Sequence, residues 1–317
     1  MSPERGDSDR KRPRLAPVAV LADCFEAGVE QATVFVSPIT DRKLISGVIQ
    51  RLTNESPLQK FPHLKRVRRT ESGMEIILCT DKDDLAKLTS IEGIDVDRIR
   101  EHKVALNAPL TRTQYQESSL LWPTHFHENK EIESSLDGTF FEVQELQRIH
   151  ELMRATIIHS NDADKEDSNA VTIVNPATDT VLAMASSCRD EHPALHATLV
   201  ALDLVARLQG GGAWQTGIPT RAVEEEAQVP FDEEVPYICT GYDVYMLREP
   251  CAMCAMALVH SRIRRAFYGV ADPIHGSLGS RYKIHCLGGL NHSFKVWKSI
   301  MPRECRRALN RINLVSY

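Results

Sequence analysis

The chain has 317 residues, an apolar fraction of 42% and a formal net charge of −5. Length alone argues for about two domains. The charge excludes a uniformly basic nucleic-acid binder, so any RNA contact must come from local patches, and no stretch of about eighteen apolar residues exists to span a membrane.

Residues 1–28 are expected to be a disordered, basic, Pro-containing tail. Residues 1–9 lack the apolar core of a signal peptide. Arg10-Lys11-Arg12-Pro13-Arg14 is a candidate nuclear address, a pattern with many chance matches. The eight cysteines show no small-scaffold spacing and point to a reducing compartment, hence nucleus and cytoplasm.

Residues 32–36 are predicted as a strand, and residues 41–52 as a helix with Leu44, Ile45, Val48 and Ile49 at helical spacing. Residues 64–69 and 74–79 flank the turn-like Glu71-Ser72-Gly73 and predict a hairpin, followed by a short helix over 81–88. The β-α-β-β-α order predicts a small α/β domain over residues 29–105. Lys65, Arg66, Arg68 and Arg69 stand on its predicted hairpin, with Arg66 and Arg68 on one face and Lys65 and Arg69 on the other. They are candidate RNA contacts; the alternative is a solvated edge strand protected by its charge.

Residues 106–137 form a connector with Pro109, Pro123, Tyr115, Trp122 and Phe126, expected to pack along the second domain. That domain covers residues 138–317. A helix is predicted over 143–158, a hairpin from strands 170–174 and 181–185, a helix opening near His196, a strand over 242–247, a helix at the cysteines and a strand over 265–270. Gly210-Gly211-Gly212 stops the His196 helix, and residues 212–236 are an expected surface insertion. The alternation implies an α/β fold with three α/β/α layers. Tyr242, Phe267 and Tyr268 are expected in its core.

The chemistry concentrates at Glu249-Pro250-Cys251-Ala252-Met253-Cys254. Pro250 suits a first helical turn, where its missing N–H costs nothing. Thiols there sit at the positive end of the helix dipole, which favours thiolate and metal. Cys-x-x-Cys alone fits a redox pair or half a zinc site. His196, which also opens a helix, adds a third ligand and leaves a fourth position open, the pattern of a catalytic zinc. His192 is an alternative ligand, although Pro193 places it outside the helix.

His-x-Glu followed by Pro-Cys-x-x-Cys is the pattern of the zinc-dependent cytidine and adenosine deaminases. This chain carries His196 and Pro250-Cys251-x-x-Cys254, and it resembles that family over residues 138–317. The resemblance implies a cytidine-deaminase-like fold and Zn2+ on His196, Cys251 and Cys254. Thr198 stands where the family has its proton-shuttling Glu. That departure, the long N-terminal part, Ser261-Arg262-Ile263, Phe267-Tyr268-Gly269 and Gly289-Leu290-Asn291-His292 make the chain similar to the non-catalytic subunits of the heterodimeric tRNA adenosine deaminases. The resemblance implies a catalytic partner subunit, a tRNA substrate, inosine formation at the wobble position, and no catalytic residue in this chain. An independently active deaminase is the competing expectation. Residues 303–311 are predicted as an amphipathic helix. The apolar Leu314-Val315-Ser316-Tyr317 after it is a candidate cap over the metal site with Tyr317 nearest the metal, or a frayed terminus.

Overall fold

The computed structural model describes residues 16–71, 73–88, 90–162, 167–214 and 237–310. Arg10–Arg14, nearly all of the expected insertion and the tail from 311 to Tyr317 lie outside the described residues. Asp23–Glu133 forms one unit; the described residues of Met1–Ala22 and Ser134–Tyr317 form the other.

Strand β1 (Val18–Ala19) and the one-turn helix α1 (Asp23–Glu26) come first. This corrects the expectation of a disordered tail to residue 28. Val20 is only 5% exposed and packs in the core of the larger unit, so the segment has an apolar reason to be ordered.

The first unit continues with β2 (Gln31–Pro38), α2 (Ile45–Glu55), β3 (Val67–Thr70), β4 (Gly73–Cys79), the short α3 (Leu85–Leu88) and β5 (Arg100–Ala105). Its sheet runs β3-β4-β2-β5, with every pair antiparallel. Strand periodicity sends Ile76 and Leu78 toward α2 and α3, and Val34, Val36 and Ile77 to the opposite face. β5 escaped the sequence because Arg-Glu-His-Lys opens it. It is an edge strand whose Arg100, Glu101 and Lys103 are exposed, so polar residues are tolerated there.

Residues 106–133 fold with this first unit, a correction to the expected packing along the second domain. Helix α4 (Arg112–Leu121) is capped by the Thr111 hydroxyl, which accepts the Gln114 N–H at 3.2 Å. Trp122 ends it, fully buried among Val34, Val36, Ile77 and Val104, and its indole N–H donates to the Lys65 carbonyl at 2.6 Å. A large apolar ring with a satisfied donor anchors the segment where it lies.

Helix α5 (Lys130–Asp137) leads into the larger unit: α6 (Val143–Asp162), β6 (Ala170–Asn175), β7 (Thr180–Ser186), α7 (Ala197–Leu208), β8 (Asp243–Arg248), α8 (Ala252–His260), β9 (Arg265–Val270), β10 (Lys295–Lys298) and α9 (Pro302–Leu309). The six-stranded sheet has the order β1-β10-β9-β8-β6-β7. β8, β9 and β10 are parallel, while β6–β7, β6–β8 and β1–β10 are antiparallel. One face packs α7 and α8 through Val244, Met246, Ala266 and Tyr268; the other packs α6 and α9 through Tyr245, Leu247, Phe267 and Trp297. Adjacent residues of one strand thus serve opposite cores, which gives the three α/β/α layers. Tyr242, Phe267 and Tyr268 are buried, as expected. No helix among the described residues is long and apolar enough to cross a membrane.

Candidate metal centre

His196 and Cys251 each occupy the residue immediately before a helix, with extended backbones (φ −66°, ψ 144° and φ −70°, ψ 172°). Their carbonyls accept the first helical N–H groups, from Val200 at 3.0 Å and Ala255 at 2.8 Å. Neither side chain caps its own helix, which leaves both for another partner. Pro250 lies one residue before this boundary rather than within the first turn, a correction to the expected position. Cys254 is the third residue of α8.

The two helix starts converge. His196 Nδ1 lies 3.6 Å from the sulfur of Cys251 and 3.6 Å from that of Cys254. All three donor atoms fall within 4.8 Å of one another. A tetrahedral zinc with bonds of about 2.0 Å to nitrogen and 2.3 Å to sulfur separates those atoms by roughly 3.5 Å, so the donor set fits that ion. Cys254 is buried, and the other two are half-buried. A hydrogen bond from Cys254 draws the Cys251 thiol down to about 5 against the opposing effect of burial. The same bond, with burial added, pushes Cys254 up. Both thiols lie at the start of α8, the positive end of the helix dipole, which favours thiolate. His192 is exposed, and its Nδ1 accepts the Ala194 N–H at 3.1 Å; it stands outside the cluster.

Thr198 is the second residue of α7 and 3% exposed. Glu249, two residues before the first thiol, is 2% exposed. One carboxylate oxygen accepts the N–H groups of Leu278 at 3.0 Å and Ser280 at 2.9 Å; the other accepts Asp272 N–H at 3.0 Å and the Ser280 hydroxyl. The loop they belong to is also stitched to the cysteine segment by Ser277 N–H to Pro250 carbonyl at 2.9 Å and by pairing of Cys251 with Gly276. Gly276 is required there, since a Cβ would collide with the Glu249 carboxylate and the Asp272 carbonyl. In the sequence Glu249 reads only as an acid near the cysteines that does not occupy the position of the family's Glu. The only hint was a loop rich in Gly, Ser and Asp some twenty residues downstream.

The basic residues of the first unit divide. Lys65 and Arg69 are exposed. Arg66 instead donates to the carbonyls of Ile77, Leu52, Ser56 and Leu78 at 2.8–3.3 Å, closing the end of α2. Arg68 pairs with Glu75 at 2.7 Å and lies 4.3 Å over the Trp122 ring. Their expected availability to RNA is corrected: each guanidinium is consumed by buried acceptors of its own unit.

The family profile of the tRNA-specific adenosine deaminase TAD3 N-terminal domain matches residues 32–122, and that of the cytidine and deoxycytidylate deaminase zinc-binding region matches residues 145–270. The Homo sapiens protein named probable inactive tRNA-specific adenosine deaminase-like protein 3 is 36% identical, covering 93% of this chain and 93% of its own length. Its Danio rerio counterpart is 37% identical, covering 90% and 92%. The Schizosaccharomyces pombe tRNA-specific adenosine deaminase subunit tad3 is 30% identical, covering 76% of each chain. With both halves matched in order by relatives of like length, the chain belongs to the family of TAD3 and the inactive tRNA-specific adenosine deaminase-like protein 3.

Proposed function

We propose that this chain is the catalytically inactive, zinc-holding subunit of a heterodimeric tRNA adenosine deaminase, supporting adenosine-to-inosine conversion at the wobble position. The observation that carries the proposal is Thr198 in the place of a carboxylate, in a site whose His196, Cys251 and Cys254 still converge at ion-binding distance. Deamination moves protons to and from the reacting base, and a carboxylate near its own pKa does this at neutral pH. A threonine hydroxyl does not ionise in that range. Glu249 cannot replace it, because both of its oxygens are fully engaged by loop N–H and O–H donors.

His196, Cys251 and Cys254 would hold Zn2+, which supplies Lewis acidity in active relatives and, in this subunit, ties the starts of α7 and α8 together. Metal binding free energy is then folding free energy. The names of the relatives, as subunits of a tRNA-specific adenosine deaminase, support a catalytic partner chain and a tRNA substrate. Lys65 and Arg69 remain candidate phosphate contacts. The test is co-expression with a catalytic deaminase subunit and assay of inosine formation by each chain alone and by the complex. Activity confined to the complex, and abolished by altering only the partner's carboxylate, supports the proposal. Turnover by this chain alone overturns it in favour of an independent deaminase.

A further inference from the structure

Helix α9 presents two unlike faces. Cys305 and Ala308 are 0% and 3% exposed and seat the helix on β9. The fit is tight: a Cβ at Gly269 of β9 would collide with the Cys305 side chain. Pro302 starts the helix, Cys305 N–H donates to the Met301 carbonyl at 3.0 Å, and Asn310 N–H donates to Arg306 at 3.1 Å. Both ends are therefore fixed.

The outward face carries Arg303, Arg306 and Arg307, all exposed. Positions 303, 306 and 307 are related by three and four residues, so their side chains are neighbours, within about 5–6 Å at Cβ. They lie opposite the buried pair on the helical wheel. Among the described residues none of the three guanidiniums meets a carboxylate. Glu304, also exposed, stands three residues before Arg307 and is its neighbour on the helix, so this side of α9 carries three guanidiniums against one carboxylate. The helix dipole accounts for Arg306 and Arg307 in the last turn. It opposes Arg303, which stands in the first turn at the positive end of the helix. A solvated helix face has no such need for a cation at its start, and the chain as a whole is acidic.

We infer that the outward face of α9 is a contact for the phosphate backbone of RNA, made by Arg303, Arg306 and Arg307. A guanidinium matches phosphate bidentately, and three on a rigidly seated helix are pre-organised for successive phosphates. The inference deepens the proposed function and rests on its tRNA-binding part; it adds a contact on the deaminase-like unit, separate from Lys65 and Arg69.

The test is tRNA binding by the full chain co-purified with its deaminase partner, measured across a range of salt. Three complexes are compared: wild type, Arg303→Gln/Arg306→Gln/Arg307→Gln, and the same positions changed to Lys. All three positions are exposed, and zinc content and co-purification report that the fold is intact. The Gln variant is expected to bind tRNA at least tenfold more weakly near 0.1 M salt, with the slope of log affinity against log salt reduced by about two to three. The Lys variant is expected to keep most of the slope, since it keeps the charge. A Gln variant with wild-type affinity and slope overturns the α9 contact while leaving tRNA binding by the complex in place. A Gln variant that sheds its partner subunit but keeps the slope makes α9 a protein contact and also overturns it. Wild-type complex that binds no tRNA overturns both the contact and the reading beneath it.

Discussion

Glu249 accepts the backbone N–H of Leu278 at 3.0 Å, twenty-nine residues downstream, and does so while nearly excluded from solvent. A carboxylate beside a candidate metal-binding cluster invites a catalytic reading, but this one is spent on architecture. Its four acceptor contacts fasten the loop from Asp272 to Ser280 against the segment that carries Cys251.

Glu249→Gln places an amide NH2 against donors that need an acceptor. The expected result is a loss of roughly 2–3 kcal/mol in unfolding free energy, the usual cost of removing a charged acceptor from buried donors. Amide hydrogen exchange of residues 272–280 should accelerate at the same time. Unchanged stability together with unchanged exchange would show that the loop is held by other means.

Thr198→Glu restores the residue type of active deaminases without restoring an enzyme. The position is 3% exposed, so a longer carboxylate enters a filled space. The expected outcome is loss of stability, by about 1–3 kcal/mol for overpacking, and no inosine formation by the isolated chain. A stable variant with turnover would show that the pocket is open and lacks only its acid.

Burial pushes the Glu75 carboxyl up, but hydrogen bonds and charge from Arg100 and Arg68 outweigh it and hold its pKa below the usual carboxylate range. A carboxylate depressed in the folded state stabilises the fold above its unfolded pKa of about 4.3 and loses that contribution as pH falls through the folded value. Glu75→Gln should therefore flatten the acid limb of the stability–pH curve of the first unit while lowering stability at neutral pH. An acid limb identical to wild type would place the acid sensitivity elsewhere.

Arg265 makes a buried ion pair with Asp243, its Nε lying 2.9 Å from one carboxylate oxygen, and reaches Glu145 with another nitrogen. Burial pushes the Asp243 carboxyl up against the pull of Arg265. Asp243→Asn leaves the guanidinium buried with its main counter-charge gone. The expected cost is roughly 3–5 kcal/mol, read by denaturant unfolding; a cost below about 1 kcal/mol would mean that Glu145 alone neutralises Arg265.

The cluster of His196, Cys251 and Cys254 was legible in the sequence because its chemistry is local. His196 and Cys251 each stand just before a helix and Cys254 lies in the first turn of the second, and Pro193 and Pro250 mark those openings in the chain. β6, β8 and β9 were legible for a similar reason, since their apolar runs are buried on both faces, and the apolar β7 follows β6 after a short turn. β1 and β10 were not. They are two and four residues long, and their strand identity exists only through pairing with each other and with β9. Trp122 was visible as a sticky residue, but which domain would bury it depends on a cavity that no local pattern describes. Arg66 and Arg68 read as a basic strand because sequence shows charge and hides acceptors; the carbonyls of Leu52 and Ser56 are remote in the chain and adjacent in space.

The central claim is that this chain keeps the ion-binding cluster while leaving the chemistry to a partner. The most direct measurement combines metal content with single-turnover tRNA deamination for the purified chain, its catalytic partner and their complex. The account predicts about one zinc per copy of this chain, lost in Cys251→Ala/Cys254→Ala, no inosine from this chain at any concentration, and inosine from the complex. Inosine formed by this chain alone, or full zinc content in the double cysteine variant, would contradict it.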